Sequence, residues 1–143
     1  MNKFFISLFF GFVFITNVIA QKIDYNTSKG FIAEGYDVTE YFNNKAVKGD
    51  NRYQTTHDGV NYKFISKKNL DKFKSSPNTY IPQYGGYCAY AIAVNGKKVD
   101  INPKTYEIRD DKLYLFYNSW GINTRPLQKV ELLDLVFRSG IVF

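Results

Sequence analysis

The feature that most constrains this 143-residue chain is a lone cysteine, Cys88, in a sequence that opens like an exported protein. Lys3 supplies a positive start, and Phe4 to Ile15 is an apolar run that includes Ser7 and Gly11. Val18-Ile19-Ala20 then presents small side chains at the positions a signal peptidase reads. This is the order of a cleavable secretory signal over residues 1–20, with cut expected between Ala20 and Gln21. The apolar run is shorter than the roughly 18 to 20 residues a spanning helix needs. The mature chain is therefore expected to be periplasmic or secreted. Exported domains of this size often rely on disulfides, yet Cys88 has no partner within the chain. Stability has to come from a packed core, and the many Tyr and Phe residues supply the buried area.

Charge narrows the partners. The formal net charge of +6 loses only Lys3 with the signal. Basic residues are interleaved with acids, as in Lys67-Lys68 before Asp71 and Lys97-Lys98 before Asp100. Such mixing marks a solvated surface, so no nucleic-acid partner is expected. No later run is apolar for long enough to span a membrane, so no integral membrane segment is expected after cleavage.

Along the mature chain, residues 21–30 are polar and aperiodic and read as a flexible leader. Asp37-Val-Thr-Glu40 has the form of a capping box ahead of a short helix through Tyr41-Phe42, ended by Asn43-Asn44. Ala46-Val47 is a candidate short strand. Residues 52–57 and 60–65 flank Asp58-Gly59, a strong hairpin signal, with Val60, Tyr62, Phe64 and Ser66 on one face. Ser66 is placed to cap a helix to about Ser75, with Leu70 and Phe73 inward and Pro77 as its stop. Residues 98–101 and 105–109 read as strands. Residues 113–117 pair back on the latter through Asp110-Asp111. Leu127, Val130, Leu133 and Phe137 suggest a helical face in the tail, and Trp120 a core anchor. The class is α+β: a small single domain of antiparallel hairpins with a few short helices.

Several strings together carry a family likeness. They are Gly35-Tyr-Asp37 with Tyr41-Phe42, His57-Asp-Gly-Val-Asn-Tyr62-Lys-Phe64-Ile-Ser66, and Pro82-Gln-Tyr-Gly-Gly-Tyr-Cys-Ala-Tyr90, followed by Asp100-Ile-Asn-Pro103 and Lys112-Leu-Tyr-Leu-Phe-Tyr-Asn118. On these the chain resembles the YHS domain family, in its exported single-domain branch, over residues 31–123, with residues 124–143 a divergent C-terminal tail. The resemblance implies copper or another transition metal, held by a pair of cysteines. At the corresponding positions this chain has Ile65 and Asn69, which weakens that implication, since a soft-metal site needs several thiolate or imidazole ligands.

The candidate site residues follow from the glycine-aromatic segment. Cys88, Tyr84, Tyr87, Gly85 and Gly86 are candidates for a small ligand, and Cys88 with His57 for a metal ion. Tyr80, Tyr84, Tyr87 and Tyr90 together suggest a stacking surface, with core packing as the competing explanation. Free cysteine is also a common small apolar core residue, and a histidine at a hairpin end is commonly solvated. The expected function is an exported YHS-like binding module for a metal ion, a small ligand or an envelope protein, with no catalysis. The alternatives are a thiol-dependent enzyme or redox accessory using Cys88, and a purely structural interaction domain.

Overall fold

Alternation of apolar and polar residues builds the centre of the fold. A computed structural model describes residues 23–117; the signal peptide, Trp120 and the tail expectations lie outside those residues. Strands β1 (Thr27–Ser28), β2 (Phe31–Ile32), β3 (Asp50–His57) and β4 (Val60–Phe64) form one sheet in the order β1-β2-β4-β3. β3 and β4 are antiparallel, whereas β2 and β4 run parallel through Phe31 and Asn61. Val60, Tyr62 and Phe64 are buried and their neighbours are not, which is the period of two that a half-covered strand requires. Asp58 (φ 50°) and Gly59 (φ 77°) both take positive φ, the conformation of a tight hairpin turn whose twist matches its strands.

Ser66 starts helix α1 (Lys67–Ser75) as expected, its hydroxyl accepting the Asn69 N–H at 3.2 Å. Phe73 turns inward and packs on Tyr62 (4.5 Å between ring centroids) and Phe64 (5.2 Å). Pro77 ends α1 and also opens the one-turn helix α2 (Pro77–Tyr80), since a first-turn proline lacks only an N–H that would go unused there. Helix α3 (Ala89–Asn95) follows a 3-10 segment at Gln83–Gly86. β5 (Asn102–Arg109) and β6 (Lys112–Phe116) make the second hairpin, with Asp110 and Asp111 both at positive φ. The result is mixed α+β: two small sheets and three short α-helices among the described residues, in one small domain. No helix among them is long and apolar enough to cross a membrane.

Some local expectations are corrected. The helix after Asp37 is a 3-10 helix at Glu40–Asn43, with Thr39 at its N-cap rather than Asp37. Ala46-Val47 forms no strand. The Val47 carbonyl accepts the Asp37 N–H (2.9 Å), and one isolated bridge joins Tyr36 to Lys48. Residues 98–101 are also not a strand, because the partners of Val99 and Asp100 belong to a helix start and a side chain. The Val99 carbonyl takes the Cys88 N–H, and the Asp100 carboxylate takes the Asn26 amide.

The largest revision concerns the leader. Residues 24–28 are part of the structure: β1 pairs with β2, and the Asn26 N–H donates to the Gly85 carbonyl at 2.8 Å. The Asn26 side-chain amide reaches both the Gly86 carbonyl (3.2 Å) and Asp100 (3.0 Å). A composition read as disorder is held because its polar side chains find long-range partners. The crossing is close: a Cβ on Gly85 would collide with the Asp24 carbonyl, and Gly85 has φ +64°. Gly59 also has positive φ (+77°) but nothing within 4 Å of such a Cβ. Gly85→Ala is therefore expected to destabilise the mature protein by about 3 kcal/mol in chemical denaturation, and Gly59→Ala by about 1 kcal/mol. Equal losses at the two sites would show that strain alone, without the crossing, sets the cost.

Candidate functional site

A buried polar cluster forms where the segment after β2 meets the end of β4. Asp37 lies between two backbone ties, its own N–H to Val47 and the Gly49 N–H to the Gly35 carbonyl (both 2.9 Å), so its side chain points inward. One carboxylate oxygen accepts the Thr39 N–H (2.9 Å) and the Thr39 hydroxyl (2.7 Å). The other accepts the Ile65 N–H and the Asn69 side-chain amide, each at 2.8 Å. The same Asn69 amide donates to Glu40 Oε1 (2.8 Å), which also accepts from Asn43 (3.1 Å). Asp37, Thr39, Glu40 and Asn69 are all buried. Charge-assisted hydrogen bonds of this kind let a carboxylate stay inside without a cation.

The two positions where the resemblance expects cysteines fall on this cluster. Position 65 offers its backbone N–H to Asp37 and has an exposed side chain, and position 69 offers an amide donor. Donors already aimed at a carboxylate are not lone pairs free for a metal. The residues present here do not fit a thiolate-held metal ion.

Cys88 is buried at the N-cap of α3. Its N–H donates to the Val99 carbonyl (2.9 Å), its carbonyl accepts the Ile92 N–H (3.1 Å), and its sulfur accepts the Tyr117 N–H (3.3 Å). His57 has other neighbours: Nε2 lies 3.5 Å from Asp58 Oδ2, and the ring meets Phe73 edge-on at 5.9 Å. The two candidate ligands thus share no contact, and among the described residues no three His, Cys, Asp or Glu side chains gather in a metal-holding group.

The remaining candidates surround the close crossing. Gly85 and Gly86 carry carbonyls that accept from Asn26, and a Cβ on Gly86 would sit 2.9 Å from Ile32 Cδ1. The chain's own residues 24–26 and Ile32 therefore lie against both glycines. Tyr84 (φ 55°) packs towards Tyr114 at 6.1 Å, and burial raises its phenol above the usual value. The Tyr87 hydroxyl donates to Asp24 (3.2 Å), and Lys98 donates to the same carboxylate (2.7 Å). Tyr80 turns into the core against Phe42 (5.2 Å), while Tyr90 is exposed. The four tyrosines point to different neighbours and make no common stacking surface.

Sequence reasoning found Asp37 and Glu40 only as a capping box, and reached Asn69 only as a position where the resemblance expects a cysteine. In the comparisons with protein-family models, curated proteins and solved structures, nothing matches this chain.

Two predictions follow from this geometry. Asp37→Asn would set an amide group where two donors already point, and is expected to cost about 2–4 kcal/mol in urea unfolding. A loss below about 0.5 kcal/mol would remove the cluster from the fold's supports. The second concerns pH. The Lys98 hydrogen bond is the largest influence holding the Asp24 carboxyl below its ordinary 3.8. A carboxyl lowered on folding stabilises above its unfolded value and loses that contribution as pH falls through the folded one. Lys98→Met should return Asp24 towards 3.8 in a carboxyl-carbon NMR titration, and an unchanged midpoint would disprove the pairing.

Proposed function

We propose that this chain is an exported YHS-like module of the cell envelope that works by binding a small ligand or an envelope protein, without a catalytic step. The observation that carries the reading is the state of its reactive groups. A thiol nucleophile needs an accessible, readily formed thiolate. The only sulfur left after signal removal is buried and accepts a backbone N–H. The buried acids Asp37 and Glu40 are likewise occupied by internal donors. Burial also suits an oxidising compartment, where an exposed lone thiol would be drawn into disulfide exchange. The family resemblance and the export signal support the location and the module type.

The test is intact-mass and elemental analysis of protein recovered from the periplasm or medium, with thiol titration beside it. The expected protein begins at Gln21, carries no stoichiometric transition metal, and reacts with a thiol reagent only after denaturation. Stoichiometric copper or zinc that disappears in Cys88→Ser would overturn the reading in favour of a metal centre. Rapid modification of the native thiol would favour the redox alternative.

A further inference from the structure

The buried Asp37 cluster also fixes two stretches of the surface. Asp37 donates its own N–H to the Val47 carbonyl (2.9 Å), and its carboxylate accepts the Ile65 N–H (2.8 Å). Glu40 repeats the pattern: its carbonyl accepts the Lys45 N–H (3.0 Å) and its carboxylate the Asn69 amide (2.8 Å). Residues 45–48 and 65–68, distant in sequence, are therefore held against the same cluster.

Lys45-Ala-Val-Lys48 and Ile65-Ser-Lys-Lys68 contain four lysines and no acid. All four lysines are exposed, and so are Val47 at 36% and Ile65 at 38%. Lys67 pairs with Asp71 (2.6 Å) one turn along α1. Among the described residues, Lys45, Lys48 and Lys68 form no ion pair. The acids that tie the two stretches together, Asp37 and Glu40, are buried and bonded inward. Along the sequence these lysines are dispersed charge; the fold gathers them around two apolar side chains.

A surface of this make-up suits a partner that is anionic outside and apolar just beneath. A phospholipid bilayer has that layering, with phosphate oxygens above hydrocarbon. Lysine stems are long enough to reach phosphates while neighbouring aliphatic side chains enter the boundary. A soluble polyanion would meet the lysines and leave Val47 and Ile65 in water. We propose that the face formed by Lys45, Val47, Lys48, Ile65, Lys67 and Lys68 docks the protein peripherally on an anionic phospholipid bilayer. The contact is reversible and weakened by salt, since each lysine near such a surface contributes only about fivefold to binding. It needs no metal, thiol or small ligand, so its failure leaves the mass and thiol results above unaffected.

The probe is a pair of vesicle preparations, one of phosphatidylcholine alone and one with phosphatidylglycerol added. The chain from Gln21 is mixed with each and read by co-sedimentation at low and high salt. The parent should sediment with the anionic vesicles at low salt, leave them at high salt, and ignore the neutral ones. Lys45→Gln with Lys48→Gln should weaken that binding by about 25-fold, fivefold for each lysine. Lys104→Gln with Lys112→Gln removes the same charge from exposed positions on the second hairpin and should bind like the parent. Val47→Ser with Ile65→Ser keeps every lysine and should also weaken binding, which attraction between charges alone would not do. The changed side chains are all exposed, so melting temperatures should stay close to the parent's. No anionic-vesicle binding by the parent at low salt would overturn the proposal. So would equal losses in the two lysine pairs, or undiminished binding after Val47→Ser with Ile65→Ser. Capture by soluble polyphosphate with none by vesicles would overturn it in favour of a polymer.

Discussion

A carboxylate with no cation beside it can stay inside a protein only if enough donors reach its oxygens, and Asp37 is held by four. Those donors come from Thr39, the exit of β4 and α1, so the interaction joins three parts of the chain at one point. The backbone ties from Val47 and Gly35 aim the side chain inward. Asn69 extends the network to Glu40 by using both hydrogens of one amide. The orientation of α1 on the sheet follows from this as much as from the packing of Phe73. Without the carboxylate, the Ile65 N–H and one hydrogen of the Asn69 amide would lose their acceptor.

A second constraint is the crossing of residues 24–26 over Gly85-Gly86. Two glycines in the left-handed region let the backbone approach within hydrogen-bond distance of Asn26. Asp24, bonded by Lys98 and Tyr87, fixes the same segment from the other side. The aromatic-glycine string that looked like a ligand cradle is therefore shaped by the chain's own N-terminal strand. Tyr41 performs a similar joining role elsewhere: its hydroxyl donates to the Pro103 carbonyl at 2.7 Å, and its ring lies 4.6 Å from Tyr106, tying the first sheet's side of the core to β5.

These two features also locate where chemistry is and is not available. Cys88, the residue that drew most attention in the sequence, is occupied by Val99 and Tyr117 and behaves as a core residue. His57, its imagined partner, lies on Phe73 instead. Among the described residues, the buried side-chain polar atom without a hydrogen-bond partner is the hydroxyl of Tyr62, a residue that alternation marked only as core. Period-two patterning reports which face a side chain takes, and tyrosine satisfies it through its ring. Whether the oxygen at the far end of that ring finds a partner depends on elements distant in sequence.

Local order was legible because its causes are local. The turns at Asp58-Gly59 and Asp110-Asp111, the Ser66 cap and the inward Phe73 each depend on residues within a few positions, and the sequence by itself determined them along with the α+β class. The lone cysteine likewise dictated a core held by packing rather than by an internal disulfide. Only the tertiary structure decided that Asn26 binds Gly86 across 60 positions, that Asn69 meets Asp37 across 32, and that the Tyr62 hydroxyl has no hydrogen-bond partner among the described residues. The physical reason is that a polar side chain's partner is chosen by the three-dimensional path of the chain, and hydrophobic periodicity carries no record of that path.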